Sequence, residues 1–340
     1  MNKLTKIGVS ALAGSLVAFA ANAGELSVSG GANLTFTSET NGPQASSANT
    51  QGNRWGHDSD LVFNGSGDMN GYTVSFYAAI DAGGGAYASN QISLDMGDMG
   101  TITFDQGVGG NGASSIDDKT PTAFEESWDG VGTTNAGYDG LTGSSNVFKY
   151  TNTVAGFGIN AAYDAEVDDA LTAGGDTSQN ASTSVANGSN WSVALTNNSL
   201  IDGLDFGVGY SETTMKDGQA TTTDKEVVIG YANYTVGPVV LGVTMGESSG
   251  GTVGHDSHTV EGYGIAFNIN ENLSISYNNN EVTYNRTAGN TDLSQEREGI
   301  ALAYTMGAAS IKVQNNESKG SATSATITEE RTEINLSMAF

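Results

Sequence analysis

The last nine residues of the chain, Thr332-Glu-Ile-Asn-Leu-Ser-Met-Ala-Phe340, decide the fold class because their side chains alternate in polarity. One face carries only apolar side chains, which are Ile334, Leu336, Met338 and Phe340. A period of two is typical of a β-strand with one apolar and one polar face. The C-terminus is therefore predicted to be a strand whose two faces meet different surroundings.

The same alternation recurs along the chain and predicts sixteen strands. In each predicted strand the apolar residues alternate with Ser, Thr, Asn, Asp or Gly. The predicted apolar faces start, in chain order, at Leu26, Leu61, Tyr72, Ile92, Ile102, Phe148, Phe157, Trp191, Leu204, Val227, Val239, Tyr263, Leu273, Ile300, Ile311 and Ile334. In the tenth strand this face comprises Val227, Ile229 and Tyr231, which leaves Tyr234 on the opposite, inward phase.

The connections between these strands alternate in length. Short turns such as 68–71, 97–100 and 155–158 alternate with mostly longer polar loops. The longer loops lie near 38–56, 107–145, 165–189, 213–224, 247–257, 285–295 and 318–326. This pattern predicts an all-β fold, a sixteen-stranded antiparallel transmembrane barrel with short turns at one end and long loops at the other.

Composition agrees with a barrel that has a wet interior. Only 37% of the residues are hydrophobic and 8% are aromatic, which suffices when apolar side chains are needed only on the outer face. A barrel of about sixteen strands is too wide for its own side chains to fill, so it encloses an aqueous channel. The chain lacks cysteine, so its stability is expected to come from the sheet.

The N-terminal segment 1–23 is predicted to be a secretory signal peptide. It carries Lys3 and Lys6, a short apolar run, and the small-residue site Ala21-Asn-Ala23. Its removal from the 340 residues leaves 317, residues 24–340, as the barrel domain, and takes the formal charge from −26 to −28. Such an acidic chain is not expected to bind nucleic acid. No later stretch has the ~20 apolar residues of a spanning helix.

With its signal segment, strand count, loop order and terminal Phe340, the mature chain resembles the general, trimeric porins of Gram-negative bacteria. The resemblance implies a homotrimer in the outer membrane, in contact with its lipid, that lets ions and small hydrophilic solutes diffuse passively, and it implies no enzymatic activity. Loop 107–145 is similar to the porin loop that folds into the lumen and narrows the pore. In these porins the second loop at the long-loop end often reaches over a neighbouring subunit. Here that loop, 83–87, is short, which puts this contact between subunits in doubt, though not the trimer.

The long loop carries an acidic cluster. Its members are Asp117, Asp118, Glu125, Glu126 and Asp129, followed by Asp139, with Lys119 as the only cation. Inside a low-dielectric wall, carboxylates of one sign raise the local concentration of cations, and a Debye length of ~8 Å screens them incompletely. If the loop lies in the lumen, it predicts a cation-preferring constriction. If it lies outside, the same acids only solvate an external loop.

Few basic residues are available to face these acids. Arg54 opens the second strand and Lys149 falls on the polar phase of the sixth. Arg54 alternatively belongs to the external loop, and Lys149 alternatively pairs with a neighbouring acid. The inward phase also places Asp105 and Asp205 on the lumen wall, together with Lys312.

The sequence also bears on metal binding and on functions other than a general porin. Clustered loop carboxylates could bind Ca²⁺ weakly, although no Asp-x-Asp-x-Asp-Gly loop occurs, and no other cofactor is expected. A sugar-specific porin is the main alternative, with Tyr77 and Tyr234 as inward aromatic candidates. A barrel enzyme would depend on His57, His255 or His258, none of which has a nucleophile motif nearby.

A surface adhesin built as a β-sandwich would need its apolar faces to meet in a core. Aromatic residues near strand ends instead favour girdles at two membrane interfaces. These residues are Trp55, Trp128, Trp191, Tyr72, Tyr163, Tyr210, Tyr277 and Tyr304.

Overall fold

The computed structural model describes residues 24, 26–40, 54–81, 85–131, 136–165, 187–215, 223–251, 255–286 and 290–340. The predicted signal peptide, residues 1–23, lies outside them, as does Glu25. The sixteen strands form one closed barrel in which each strand pairs antiparallel with its chain neighbours and β1 pairs with β16. The predicted fold class is confirmed.

The strands are longer than the sequence pattern alone indicates. Their bounds are β1 Leu26–Thr40, β2 Trp55–Met69, β3 Tyr72–Asp81, β4 Gly85–Asp95, β5 Thr101–Gln106, β6 Ser145–Val154, β7 Phe157–Asp164, β8 Asn187–Asn197, β9 Leu204–Met215, β10 Thr223–Val236, β11 Val239–Gly251, β12 His255–Asn268, β13 Leu273–Arg286, β14 Leu293–Met306, β15 Ala309–Gly320 and β16 Thr328–Ala339. Helical structure among the described residues is limited to the 3₁₀ turns Gly97–Met99 and Gly112–Ser115. No helix in these ranges is long and apolar enough to cross a membrane.

Most loops at the long-loop end are shorter than predicted. The sequence suggested a loop over 247–257, but β11 continues to Gly251 and β12 begins at His255. Polar residues prolong these strands because the ladder of backbone hydrogen bonds continues where no apolar face is required. The long connection of 107–144 between β5 and β6 remains, one residue shorter than expected.

The C-terminal strand closes the barrel. Gly30 and Phe340 exchange backbone hydrogen bonds, with N–O distances of 2.7 and 2.9 Å. The register continues from Gly31 opposite Ala339 to Thr40 opposite Glu330. Closure removes the free edges that an open sheet of this size would expose.

An apolar band covers the outward face of the barrel. Large side chains with more than a third of their surface exposed recur on most strands, in phase with the sequence pattern. Examples are Val28, Phe76, Ile92, Phe148, Val208, Tyr263, Ile300 and Met338. A continuous exposed apolar surface of this kind marks a region that contacts a membrane or another protein and is not left in water.

The tenth strand reverses the predicted phase. Val227, Ile229 and Tyr231 are 0%, 1% and 7% exposed and point inward, while Val228 and Tyr234 are 58% and 47% exposed and point outward. The reading of Tyr234 as a lumen residue was therefore wrong. Both faces of β10 carry apolar side chains because its inner face is also covered by protein.

Candidate pore constriction

The described parts of the connection 107–144, residues 107–131 and 136–144, contact inward-facing residues of each strand from β5 to β16. From its start, Gly112 donates to Asn160 of β7 at 2.9 Å, and the carbonyl of Lys119 accepts from Asn233 of β10 at 2.8 Å. Further along, the backbone N–H of Ala123 donates to Ser276 of β13 at 2.8 Å. The segment thus follows the inner wall from one strand to the next.

The path reaches the far side of the barrel before it turns back. The Glu125 N–H donates to Gln314 of β15 at 3.1 Å, and Asn316 donates to the carbonyls of Glu126 and Asp129, each at 2.9 Å. An added Cβ at Gly130 would collide with Arg331 of β16. The chain therefore crosses the wall as far as the closing strand.

The return path follows a second line of polar wall residues. Asn280 and Arg297 donate to the carbonyl of Ala136 at 3.2 and 3.1 Å, and Asp139 N–H donates to Ser248 at 3.0 Å. The Gly140 carbonyl then accepts from Ser211, Thr213 and Asn190. Backbone groups brought in from solvent must be paired, and the wall supplies their partners.

Asp105 at the end of β5 fixes the start of the segment. Its carboxylate accepts from the N–H groups of Val108 and Gly109 at 3.1 and 2.9 Å, and from Asn111 and Gln91 at 2.7 and 2.8 Å. The side chain is completely buried. The sequence placed Asp105 inward, which is correct, but it anchors the connection and does not border open lumen.

Inward-facing glycines bring the segment close to the sheet. A Cβ built on Gly264 of β12 would lie 2.7 Å from the Pro121 carbonyl oxygen and 2.8 Å from the Thr120 methyl. One on Gly299 of β14 would lie 3.0 Å from the Cα of Ser127. These glycines allow a close backbone approach that a side chain would prevent.

An apolar cluster joins the segment to the wall. Ala113, Ile116 and Tyr138 of the connection pack with Val227 and Ile229 of β10 and with neighbouring strands. Trp128 is partly buried against the same cluster. The expectation that Trp128 belongs to an interfacial girdle was therefore wrong, and the cluster makes the inner position of the segment a packed arrangement.

The acids of the connection come together. Burial, reinforced by Asp118, raises the pKa of Asp117 to about 7. Burial also raises the pKa of Glu126 to about 7, with Asp118, Glu125 and Asp129 acting in the same direction. Each of the five predicted cluster residues thus lies within electrostatic range of another member, and Asp118 and Glu125 are exposed.

The predicted basic partners behave differently from each other. Arg54 is exposed just before β2, where its carbonyl accepts from Thr37 N–H at 2.9 Å. Lys149 is half-buried on the inward phase beside Thr103, and its ammonium donates to the Gly109 carbonyl at 3.4 Å. In the structure Lys149 holds the segment by its backbone, and Arg54 lies at the mouth of the barrel.

Four other basic residues contact the connection, and the sequence reading missed three of them. Lys312, which it placed inward, lies 5.0 Å from the Phe124 ring centroid, and Lys225 pairs with Asp139 at 2.8 Å. Arg297 is fully buried, and Arg331 pairs with Glu333 at 2.5 Å. Extending the period of two along β14 and β16 would have placed the two arginines inward.

Asp205 also faces inward, on β9 opposite Asn233 of β10. Its carboxylate accepts a hydrogen bond from the Tyr231 hydroxyl at 2.8 Å. Asp205 therefore lies on the inner face, as predicted. Its hydrogen-bond partner Tyr231 is one of the β10 residues that the sequence pattern wrongly placed on the outer face.

Within the described ranges, one group of three carboxylates lies close enough to share a cation, and it is outside the connection. Asp58, Asp60 and Asp81 have carboxylate oxygens within 4.8 Å of one another. Ca²⁺ binding by the loop acids, the weak site suggested from sequence, remains a prediction. His57 and His258 lie on strands, and the His258 ring contacts Tyr284 with centroids 4.9 Å apart. The side chain of His255 lies outside the described residues.

Comparison with solved structures places this barrel among known folds. The trimer form of OmpT, an outer membrane protein of Vibrio cholerae, superposes with a TM-score of 0.68 and 9% identity, covering 94% of this chain and 100% of that one. An anion-selective porin from Comamonas acidovorans gives 0.67 and 13%, covering 93% and 99%. OmpF of Salmonella typhi in complex with daunomycin gives 0.66 and 13%, covering 93% and 97%.

Sequence comparisons add no closer relative, since no protein-family model and no curated protein matches the chain. The structural similarity extends over nearly the whole length of each partner. The chain therefore has the fold of the sixteen-stranded outer-membrane porins.

Proposed function

We propose that the chain is an outer-membrane porin, a water-filled channel with a cation-preferring constriction formed by the connection 107–144. The observation that carries the proposal is the cluster of five acids, Asp117, Asp118, Glu125, Glu126 and Asp129, on a segment hydrogen-bonded to the inner wall. Ions and small hydrophilic solutes would diffuse through the space between this segment and the wall of β1–β5. No energy source is needed for such transport.

The selectivity follows from the position of the charges. Acids at a constriction act on a permeating ion at distances near the ~8 Å Debye length, so salt screens them only partly. The low-dielectric wall strengthens their field. Lys312 and Arg331 lie near the same acids, but Glu333 pairs with Arg331 and leaves the acids in excess.

The fold alone does not decide the sign of selectivity. The Comamonas acidovorans porin, which has a similar barrel, is anion-selective. The charges of the side chains at the constriction must therefore make the difference, and in this chain the segment carries six acids and one lysine.

The test is the reversal potential of the refolded protein in a planar bilayer under a salt gradient. Steady channels with cation preference are expected at pH 7.5. The triple variant Asp118→Asn, Glu125→Gln and Asp129→Asn should lower the cation-to-anion permeability ratio while the channels remain open.

A matched control removes three acids from elsewhere on the inner face. The variant Asp58→Asn, Asp60→Asn and Asp81→Asn changes the net charge by the same amount. These three residues lie outside the connection, at the long-loop end of β2 and β3. A larger effect of the loop triple supports the constriction. Equal effects would assign selectivity to overall charge, and an unchanged ratio in the loop triple would contradict the proposal.

Location and assembly form the second part of the proposal. The exposed apolar band suits the hydrocarbon layer of a membrane, with Trp55, Trp191 and Tyr72 near its edges. A homotrimer is consistent with the trimer form of the Vibrio cholerae protein. Multi-angle light scattering in detergent should give three chains per particle, and a monomeric mass would contradict the trimer without affecting the channel.

A further inference from the structure

The inner wall of β1–β4 carries uncharged polar side chains in two rows. The first row runs in register through Ser27, Asn64, Tyr77 and Gln91, one residue from each strand. The second runs through Ser66, Ser75 and Ser93 of β2–β4. Adjacent strands are ~4.8 Å apart, so the rows present hydroxyl and amide groups at regular spacing across about 14 Å.

These seven side chains line one recess of about 550 Å³. Gly65 and Phe76, which lie between the two rows on β2 and β3, complete its lining, although the Phe76 side chain points outward, and no charged residue takes part. Its size falls within the range of small-molecule sites. The absence of charge distinguishes this recess from the acidic connection and from the acids at either end of the same strands.

Several groups in the recess are available to a solute. Within the described residues, the side chains of Asn64, Ser75 and Tyr77 have no protein hydrogen-bond partner. Gln91 and Ser93 are oriented by Asp105 and Thr103, at 2.8 and 2.9 Å. The recess therefore combines free donors and acceptors with two side chains held in place.

The recess lies next to the constriction. Gln91 pairs with Asp105, the residue from which the connection departs. Ser66 and Ser75 pair with each other near the turn at Asn70 and Gly71, so the recess extends from the constriction toward the short-turn end. A solute that passes the constriction meets this surface directly.

We propose that the recess is a subsite for uncharged polyhydroxylated solutes, that is, sugars. A sugar offers alternating hydroxyl donors and acceptors that match hydroxyl and amide side chains, and its C–H face can lie on an aromatic ring such as Tyr77. Because the lining carries no charge, it does not attract ions electrostatically, and it favours a neutral sugar. The inference rests on the proposed channel and names one class of solute for it.

The experiment measures maltose and maltotriose binding in open single channels from the current noise they cause. Polyethylene glycol of matching size is the reference, because it fills the pore without hydroxyl groups along its length. We expect maltotriose to interrupt the current with a measurable association constant, and the polymer to lower it only in proportion to its volume. Equal behaviour of sugar and polymer would overturn the subsite.

Variants locate the effect. Tyr77→Phe combined with Ser75→Ala should lower the sugar association constant at least about fivefold, the loss expected for one or two hydrogen bonds. Tyr234→Phe, on the outward face of β10, is the control and should leave it unchanged. Unaltered binding in the Tyr77 and Ser75 variant would also overturn the proposal.

The two proposals fail separately. Open, cation-selective channels that do not retain sugar would remove the subsite and leave the porin function intact. Folded protein without any conductance would overturn the channel itself.

Discussion

The inner walls of β1–β5 and of β7–β16 differ in composition, and the difference shows what each one faces. The second wall lies under the connection 107–144 and carries glycines, apolar side chains and single polar groups that pair with its backbone. The first wall carries Ser, Asn, Gln and Tyr in rows that run across β1–β4. A barrel wall is thus built for protein on one side and for water on the other.

The largest expected effect comes from the residue where the two walls meet. In Asp105→Asn, four donors lose a charged acceptor, which should weaken the attachment of the connection by about 3 kcal/mol. Limited proteolysis should then cut within 107–144, and open-channel noise should increase. Asp205→Asn is the control, because among the described residues its carboxylate accepts a hydrogen bond from Tyr231 alone, and it lies away from the attachment. Equal protection of both variants would show that the apolar cluster alone holds the segment.

A glycine substitution tests how closely the covered wall is packed. Gly264→Ala places a methyl group 2.7 Å from the Pro121 oxygen, and overpacking of this kind costs about 1–3 kcal/mol. The connection should shift and the single-channel conductance should change. Gly31→Ala on the open wall is the control, since its methyl group would meet only the Met338 oxygen at 3.5 Å. A conductance that responds equally to both substitutions would contradict the close packing.

The third prediction concerns pH. Asp117 and Glu126, with pKa values raised to about 7, are neutral below that pH and charged above it. The cation-to-anion permeability ratio should therefore rise between pH 6 and pH 8. Because the packed segment holds these protons more tightly, its packing should be strongest below about pH 4 and should weaken as pH rises from there to about 7. Asp117→Asn with Glu126→Gln should flatten the pH profile of reversal potentials, and an unchanged profile would show that other groups titrate.

The smallest effect is expected at the ion pair on the return path. Lys225 and Asp139 are 2.8 Å apart, but the Asp139 side chain is 44% exposed. Such pairs contribute less than about 1 kcal/mol. Lys225→Met should leave conductance and proteolytic protection near those of the parent protein. A loss of protection comparable to that of Asp105→Asn would mean that the return path depends on this charge.

Much of the fold can be predicted from the alternation of polarity. All sixteen strands occur where the pattern placed them, because an outer face that must be apolar repeats every second residue. The inward position of Lys149, Asp105 and Asp205 follows from the same phase. The acidic character of the connection is visible in its composition.

The sequence by itself therefore determined the barrel, the order of its turns and the charge of its longest connection. Only the tertiary structure decided that the inner side of β10 is apolar, that Trp128 packs against it, and that Asp105 and Arg297 are buried. The physical reason is that strand periodicity tells which side chains share a face, whereas the environment of that face depends on a segment distant in sequence. Residues under the connection are buried by contacts that no local pattern encodes.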